Sequence, residues 1–140
     1  MAAPLVGIAD HDPVLIRLLD QVLTEAGFDT VQLPEGARAY EEIKKHRPDL
    51  IVLDTWLESR EAGWILFQVL RRDRETRNIP VLVCSSDLQE FERRASSLED
   101  YSHVGVLNKP FDIDSLIAKV REMLSRNGIA APGRDGFSPK

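Results

Sequence analysis

Four short clusters hold the residues whose types could do chemistry. Asp10, His11 and Asp12 follow one apolar run, and Asp54, Thr55 and Trp56 follow another. Ser85, Ser86 and Asp87 close a third run, and Asn108, Lys109 and Pro110 a fourth. If these clusters meet, carboxylates, a hydroxyl and an amine converge on one rim. Clustered carboxylates repel one another unless a cation or a proton intervenes. Oxygen ligands favour a hard divalent cation such as magnesium. A cation, an ammonium and a hydroxyl around one carboxylate stabilise the charge of a transferring phosphoryl group. The residue types therefore point to phosphoryl chemistry on Asp54.

The convergence depends on the elements that carry the clusters. Strand candidates lie at residues 5–9, 29–33, 50–53, 79–84 and 104–107, and three of them are near-continuous apolar runs, as strands buried on both faces should be. Segments of helical period alternate with them. The first carries Val14, Leu15, Leu18, Leu19, Val22, Leu23 and Ala26, with Asp12 as N-cap, Pro13 at the first helical position and Gly27 as the stop. Further helices are expected at about 35–46, 63–73 and 87–99, and from the N-cap Asp112 to Asn127-Gly128. Five βα units in order predict a doubly wound α/β fold with a five-stranded parallel sheet and right-handed crossovers. Ligands in such sheets sit beyond the carboxyl ends of the strands, where the strand order reverses. All four clusters fall at such ends.

Composition sets the outer bounds. A chain of 140 residues that is 43% hydrophobic and 29% charged is one globular domain rather than a disordered or fibrous chain. A net charge of −5 disfavours a nucleic-acid reader. One cysteine excludes an internal disulfide and a Cys-clustered zinc site, and suits a reducing, cytoplasmic setting. The start shows no basic head followed by an apolar stretch, and no run approaches the roughly 20 apolar residues of a membrane span. The last residues, IAAPGRDGFSPK, are Gly/Pro-rich and aperiodic, and 127–140 is expected to be a flexible tail without an output domain.

The acidic turn ADHDP, the run PDLIVLD, the run RNIPVLVCSS and the motif NKPF before an acidic helix start resemble, in order and spacing, the receiver domains of two-component response regulators. The resemblance covers Leu5 to about Arg126. It implies a flavodoxin-like (βα)5 fold with strand order 2-1-3-4-5. It places the phosphoacceptor on Asp54, the hydroxyl switch on Ser85, the lysine on Lys109 before a cis Pro110, and the first acidic-pair member on Asp10. A magnesium ion would be held by Asp10, Asp54 and the backbone carbonyl of Trp56. Trp56 and Asp87 occupy positions that tune phosphate lifetime. The implied partners are a histidine kinase or phosphotransfer protein and a downstream protein met through the fourth helix, fifth strand and fifth helix. Neither nucleic acid nor membrane is expected to be bound directly.

Four positions depart from the family pattern. His11 stands where a second magnesium-ligating carboxylate is usual. Imidazole is a poor magnesium ligand and a good one for softer metals. Magnesium is then bound weakly, or another metal such as manganese is preferred, or a protonated His11 replaces the metal. Val106 occupies the aromatic switch position. The loop after Asp54 has Glu58 where a proline is usual and is one residue longer before Gly63. The segment LEDYSHVGV lacks the usual small Gly-Ala turn.

His11 and Val106 favour an alternative, a pseudo-receiver that binds partners without phosphorylation. A phosphatase of the haloacid dehalogenase type, suggested by Asp10-His11-Asp12, leaves Asp54 and Lys109 unexplained. A flavodoxin lacks its Ser/Thr-rich phosphate loop here. Plainer readings cover the rest. Cys84 is a packed thiol. His46 is a cation near a helix C-terminus. His103 is a strand-entry residue. The ERR and RRDRETR runs are solvated helix faces.

Overall fold

The computed structural model describes residues 3–35, 37–55, 61–96 and 103–129. Five strands alternate with five helices: β1 (Leu5–Ala9), α1 (Pro13–Glu25), β2 (Asp29–Gln32), α2 (Ala37–His46), β3 (Leu50–Asp54), α3 (Ala62–Arg72), β4 (Val81–Ser85), α4 (Leu88–Ala95), β5 (Val104–Asn108) and α5 (Ile113–Arg126). All neighbours pair in parallel, and the sheet order is β2-β1-β3-β4-β5, as the resemblance implies.

Period-two alternation sorts each strand between two layers. Ile51, Leu53, Val81 and Val83 pack with α2, α3 and α4 around Phe67 and Phe91. Leu50, Val52, Leu82 and Cys84 pack with α1 and α5 around Phe28 and Leu116. With helices on both faces, β3 and β4 are buried at every position.

Helix ends follow local chemistry. Asp12 accepts from Val14 N at 3.0 Å, Asp87 from Glu90 N at 3.1 Å and Asp112 from Ser115 N at 2.7 Å, so three helices start on aspartate caps. Gly27 (φ 99°) and Gly128 (φ 78°) end α1 and α5 in the left-handed conformation that glycine adopts freely. Phe28 N then bonds Leu23 O at 3.0 Å, and Ile129 N bonds Leu124 O at 2.9 Å, which satisfies the last carbonyls in a Schellman turn.

Several boundaries differ from the sequence reading. β3, β4 and β5 each run one residue further, so Asp54, Ser85 and Asn108 end strands rather than begin loops. β4 starts at Val81 instead of Ile79, because Ile79 N bonds Thr76 O in a turn and Pro80 has no N–H to give. β2 stops at Gln32, and α2 starts at Ala37. Regular α4 ends at Ala95, and the expected extension toward Glu99 lies outside the described residues. The apolar stripe of α1 is wider in sequence than in space. Leu19 and Leu23 are buried, whereas Val14 and Leu18 are 69% and 41% exposed. The expected tail does not begin at residue 127, since Asn127 caps α5 and Ile129 packs against the α1–α5 layer. Residues 130–140 lie outside the described set. Among the described residues, no helix is long and apolar enough to cross a membrane.

Candidate functional site

The strand order reverses between β1 and β3, and the site is built at their carboxyl ends. Asp10 follows β1 directly, and Asp54 is the last residue of β3. Their side chains are 2% and 4% exposed. Two such carboxylates side by side need positive charge. Lys109, just past β5, supplies it: its Nζ donates to Asp10 Oδ2 at 3.0 Å and to Asp54 Oδ2 at 3.1 Å. Burial pulls the Lys109 ammonium toward a lower pKa, but Asp10 and Asp54 together outweigh burial and raise it. The lysine is positioned by its backbone, whose N–H donates to Ser85 O at 2.8 Å, and the peptide to Pro110 is cis.

His11 approaches the same two carboxylates. Its Nδ1 lies 2.8 Å from Asp54 Oδ2 and 3.5 Å from Asp10 Oδ1, with 46% of the side chain exposed. A carboxylate oxygen from each aspartate and a His11 ring nitrogen all lie within 4.8 Å of one another. This donor set fits a divalent cation. Asp12 is not part of it, because its carboxylate caps α1 while its N–H donates to Asp10 Oδ1 at 3.0 Å.

Ser85, at the end of β4, is 3% exposed. Its Oγ accepts from Thr55 Oγ1 and from Asp87 N, each at 3.0 Å. One hydroxyl thereby joins the residue after Asp54 to the start of α4. Asp87 itself is the α4 N-cap. Val106 is half-buried and packs against the α2–α4 layer. Trp56 and Glu58 lie outside the described residues, as does most of the LEDYSHVGV segment before β5. Cys84 pairs in register with Asp54 and packs, with Val52 and Leu82, in the α1–α5 layer, where burial pushes its thiol up to about 12.

A cleft of about 460 Å³ opens from Asp54 toward α4. Thr55, Ser85, Ser86 and Asp87 line one end, and Glu61, Trp64 and Arg94 the other. Here the sequence reading needs correction. The ERR run is not a merely solvated face, because Arg94 grips Glu61 with both terminal nitrogens at 2.8 Å and Glu90 through Nε at 2.9 Å. Its guanidinium lies 5.7 Å from the Trp64 ring centre. RRDRETR is likewise partly engaged: Asp73 accepts from Tyr40, and Thr76 is buried with its hydroxyl on Leu70 O. His46 is held by Glu42 at 3.0 Å. Thr55 is read from sequence only as a member of the Asp54 cluster, and Arg94 only as part of the ERR run. Thr55 stood next to Asp54, but nothing in the pattern announced a hydroxyl pair with Ser85.

A buried carboxylate pair bridged by an ammonium at the switch point of a 2-1-3-4-5 sheet defines a class of site suited to phosphoryl transfer. The family model of the response regulator receiver domain matches residues 6–121. The chain belongs to that family, the receiver domain of two-component signal transduction. It is 35% identical over 129 residues to the DNA-binding dual master transcriptional regulator RpaA of Synechocystis sp., covering 88% of this chain and 50% of that protein. The chain spans about half the length of the curated relatives it matches. Among solved structures, a sensor protein from Polaromonas sp. superposes with a TM-score of 0.74 at 30% identity, covering 89% of this chain and 98% of that one. The receiver domain of the Pseudomonas aeruginosa sensor histidine kinase PA1611, solved with magnesium in its active-site cleft, shares the fold. Its TM-score is 0.74 at 17% identity, over 89% of this chain and 99% of that one.

Proposed function

We propose that the chain is a phosphoacceptor receiver whose Asp54 takes a phosphoryl group from a histidine kinase or phosphotransfer protein. An Asp54 carboxylate oxygen bonds to phosphorus as the P–N bond to the donor imidazole breaks, and that imidazole takes a proton from solvent. Water later attacks phosphorus and releases inorganic phosphate. The observation that carries the reading is the Lys109 ammonium, held between Asp10 and Asp54 at hydrogen-bond distance from both. In that position it can follow the charge that moves onto the phosphoryl oxygens. Ser85 offers its hydroxyl from the neighbouring strand.

Asp10, Asp54 and the Trp56 carbonyl are the residues that would hold a divalent cation. When bound, that cation neutralises charge on the phosphoryl oxygens. With His11 in a ligand position, magnesium is held weakly and manganese is the alternative. Trp56 and Asp87 set the lifetime of the aspartyl phosphate. Output runs through partner binding at the face of α4, β5 and α5, in the cytoplasm. DNA binding is part of the name of the relative RpaA and is not carried to this chain.

The test is intact mass after incubation with a small-molecule phosphodonor, with magnesium, manganese or chelator, beside Asp54→Asn. One added phosphoryl group that needs both a metal and Asp54 is the expected result. No addition under any condition overturns it and favours the second reading, a pseudo-receiver acting through partner binding alone. That reading is favoured by His11 and by the aliphatic Val106.

A further inference from the structure

We propose that His11 is itself a metal ligand and retunes the site from magnesium toward a transition-metal dication such as Zn2+ or Co2+. The inference rests on the reading above only in placing a cation beside Asp54. It concerns which cation the donors select.

The geometry is that of adjacent ligands. Two donors about 2.1 Å from one ion stand roughly 3.0–3.5 Å apart in octahedral or tetrahedral coordination. His11 Nδ1 stands 3.5 Å from Asp10 Oδ1, within that range, and 2.8 Å from Asp54 Oδ2, a hydrogen-bond distance that needs to lengthen by only a few tenths of an ångström to admit an ion between them. The carboxylates are almost fully buried, whereas the His11 side chain is 46% exposed, so the imidazole is the solvent-facing member of the set.

Two effects then push selectivity the same way. An imidazole in place of a carboxylate removes one negative charge, and magnesium depends on charge and oxygen donors. Lys109 already neutralises part of the remaining charge, and Asp12 cannot restore it while it caps α1. The nitrogen donor simultaneously strengthens binding along the series from manganese through cobalt to zinc. The result is a receiver site with one nitrogen and two carboxylate donors, whose cation reports transition-metal supply as well as magnesium.

The test is calorimetric titration of the full chain, unphosphorylated, with Mg2+, Mn2+ and Zn2+, for wild type, His11→Asp and His11→Gln. Zinc already outranks magnesium at most sites, so the measured quantity is the ratio of the two affinities. That ratio is expected to fall at least about 10-fold in His11→Asp, with magnesium gaining. His11→Gln is expected to lose zinc without gaining magnesium. Nitrogen NMR of 15N-histidine-labelled protein gives a direct readout: substoichiometric Zn2+ should move the ring resonance that is absent from His11→Gln. An unchanged ratio in His11→Asp overturns the proposal. So does zinc that moves only His46 or His103. Phosphorylation of Asp54 with an unchanged ratio defeats this inference alone. Altered selectivity without phosphorylation defeats the functional reading alone.

Discussion

Replacing Gly63 with alanine is expected to damage both stability and the site. Gly63 is the second residue of α3 and is buried. A Cβ there would lie 2.4 Å from the carbonyl oxygens of Asp54 and Thr55. Carbon–oxygen contacts relax at about 3.3–3.6 Å, so the helix start and the strand end must separate by roughly 1 Å. Both obstructing atoms are backbone, and one belongs to the strand residue that carries the candidate acceptor. Overpacking of this kind costs about 1–3 kcal/mol. The opposing gain, alanine over glycine in a helix, is at most about 1 kcal/mol in the interior and less in the first turn. The net loss is therefore about 1–2 kcal/mol, a fall of roughly 0.5–1.5 M in the urea midpoint for a domain of this size. A displacement of about 1 Å at Asp54 also predicts a phosphorylation rate up to about 100-fold lower. Gly105→Ala is the internal control. There the new Cβ meets Met123 Sδ at 2.5 Å and Met123 Cε at 3.2 Å, the flexible end of a side chain. Its cost should stay below about 1 kcal/mol. Urea unfolding of both variants decides. An unchanged midpoint in Gly63→Ala, or equal losses in the two variants, refutes the reasoning.

Two further outcomes follow from the charges and the core. Cys84, pushed up to about 12 chiefly by burial, should have only about one thiolate in ten thousand at pH 8, so an aromatic disulfide reagent should label it no faster than the domain opens; labelling within minutes in native buffer would contradict this. Lys109→Met should lower stability near neutral pH by about 2 kcal/mol, because it leaves two buried carboxylates without the ammonium that lies between them. The folded Lys109 pKa lies above its ordinary 10.5, so its contribution is complete below that pH and fades only as pH rises through the folded value. Urea midpoints of wild type and variant should thus keep a constant gap from pH 7 to pH 9, and a gap already closed at pH 9 would be the wrong sign.

The architecture was legible because it rests on local patterns that agree. Alternating apolar runs and helical periods sort residues between two layers, and aspartate and glycine punctuate the helices. Each signal is short-range and each has one structural meaning here. The misplaced ends share a cause. Asp54, Ser85 and Asn108 are polar, and polarity reads as a loop, yet each pairs as a strand residue at the rim where chemistry needs it. Val14 and Leu18 fall on the stripe of α1 by spacing alone. Both stay exposed, and Leu19 and Leu23 carry the buried face of the helix.

The candidate site was legible to the extent that strand ends could be found. Knowing that ligands gather beyond the carboxyl ends of β1 and β3 was enough to bring Asp10, His11, Asp54 and Lys109 together from positions 99 residues apart. What sequence could not supply is the partner each polar group takes. Asp10 and Asp12 are alike in type and two residues apart, yet one turns inward to the ammonium and the other caps a helix. Arg93 and Arg94 are adjacent, yet only Arg94 spans from α4 to Glu61 and lies over Trp64, closing the far end of the cleft. These choices depend on helix phase relative to a neighbouring helix, which no short-range pattern encodes. The same phase gives Ser85 its two bonds, to Thr55 and to the backbone that opens α4. Ser85 accepts in both bonds, so its own proton is left to donate to a group on Asp54. The same oxygen joins the strand end beside Asp54 to the first turn of α4 without involving Val106.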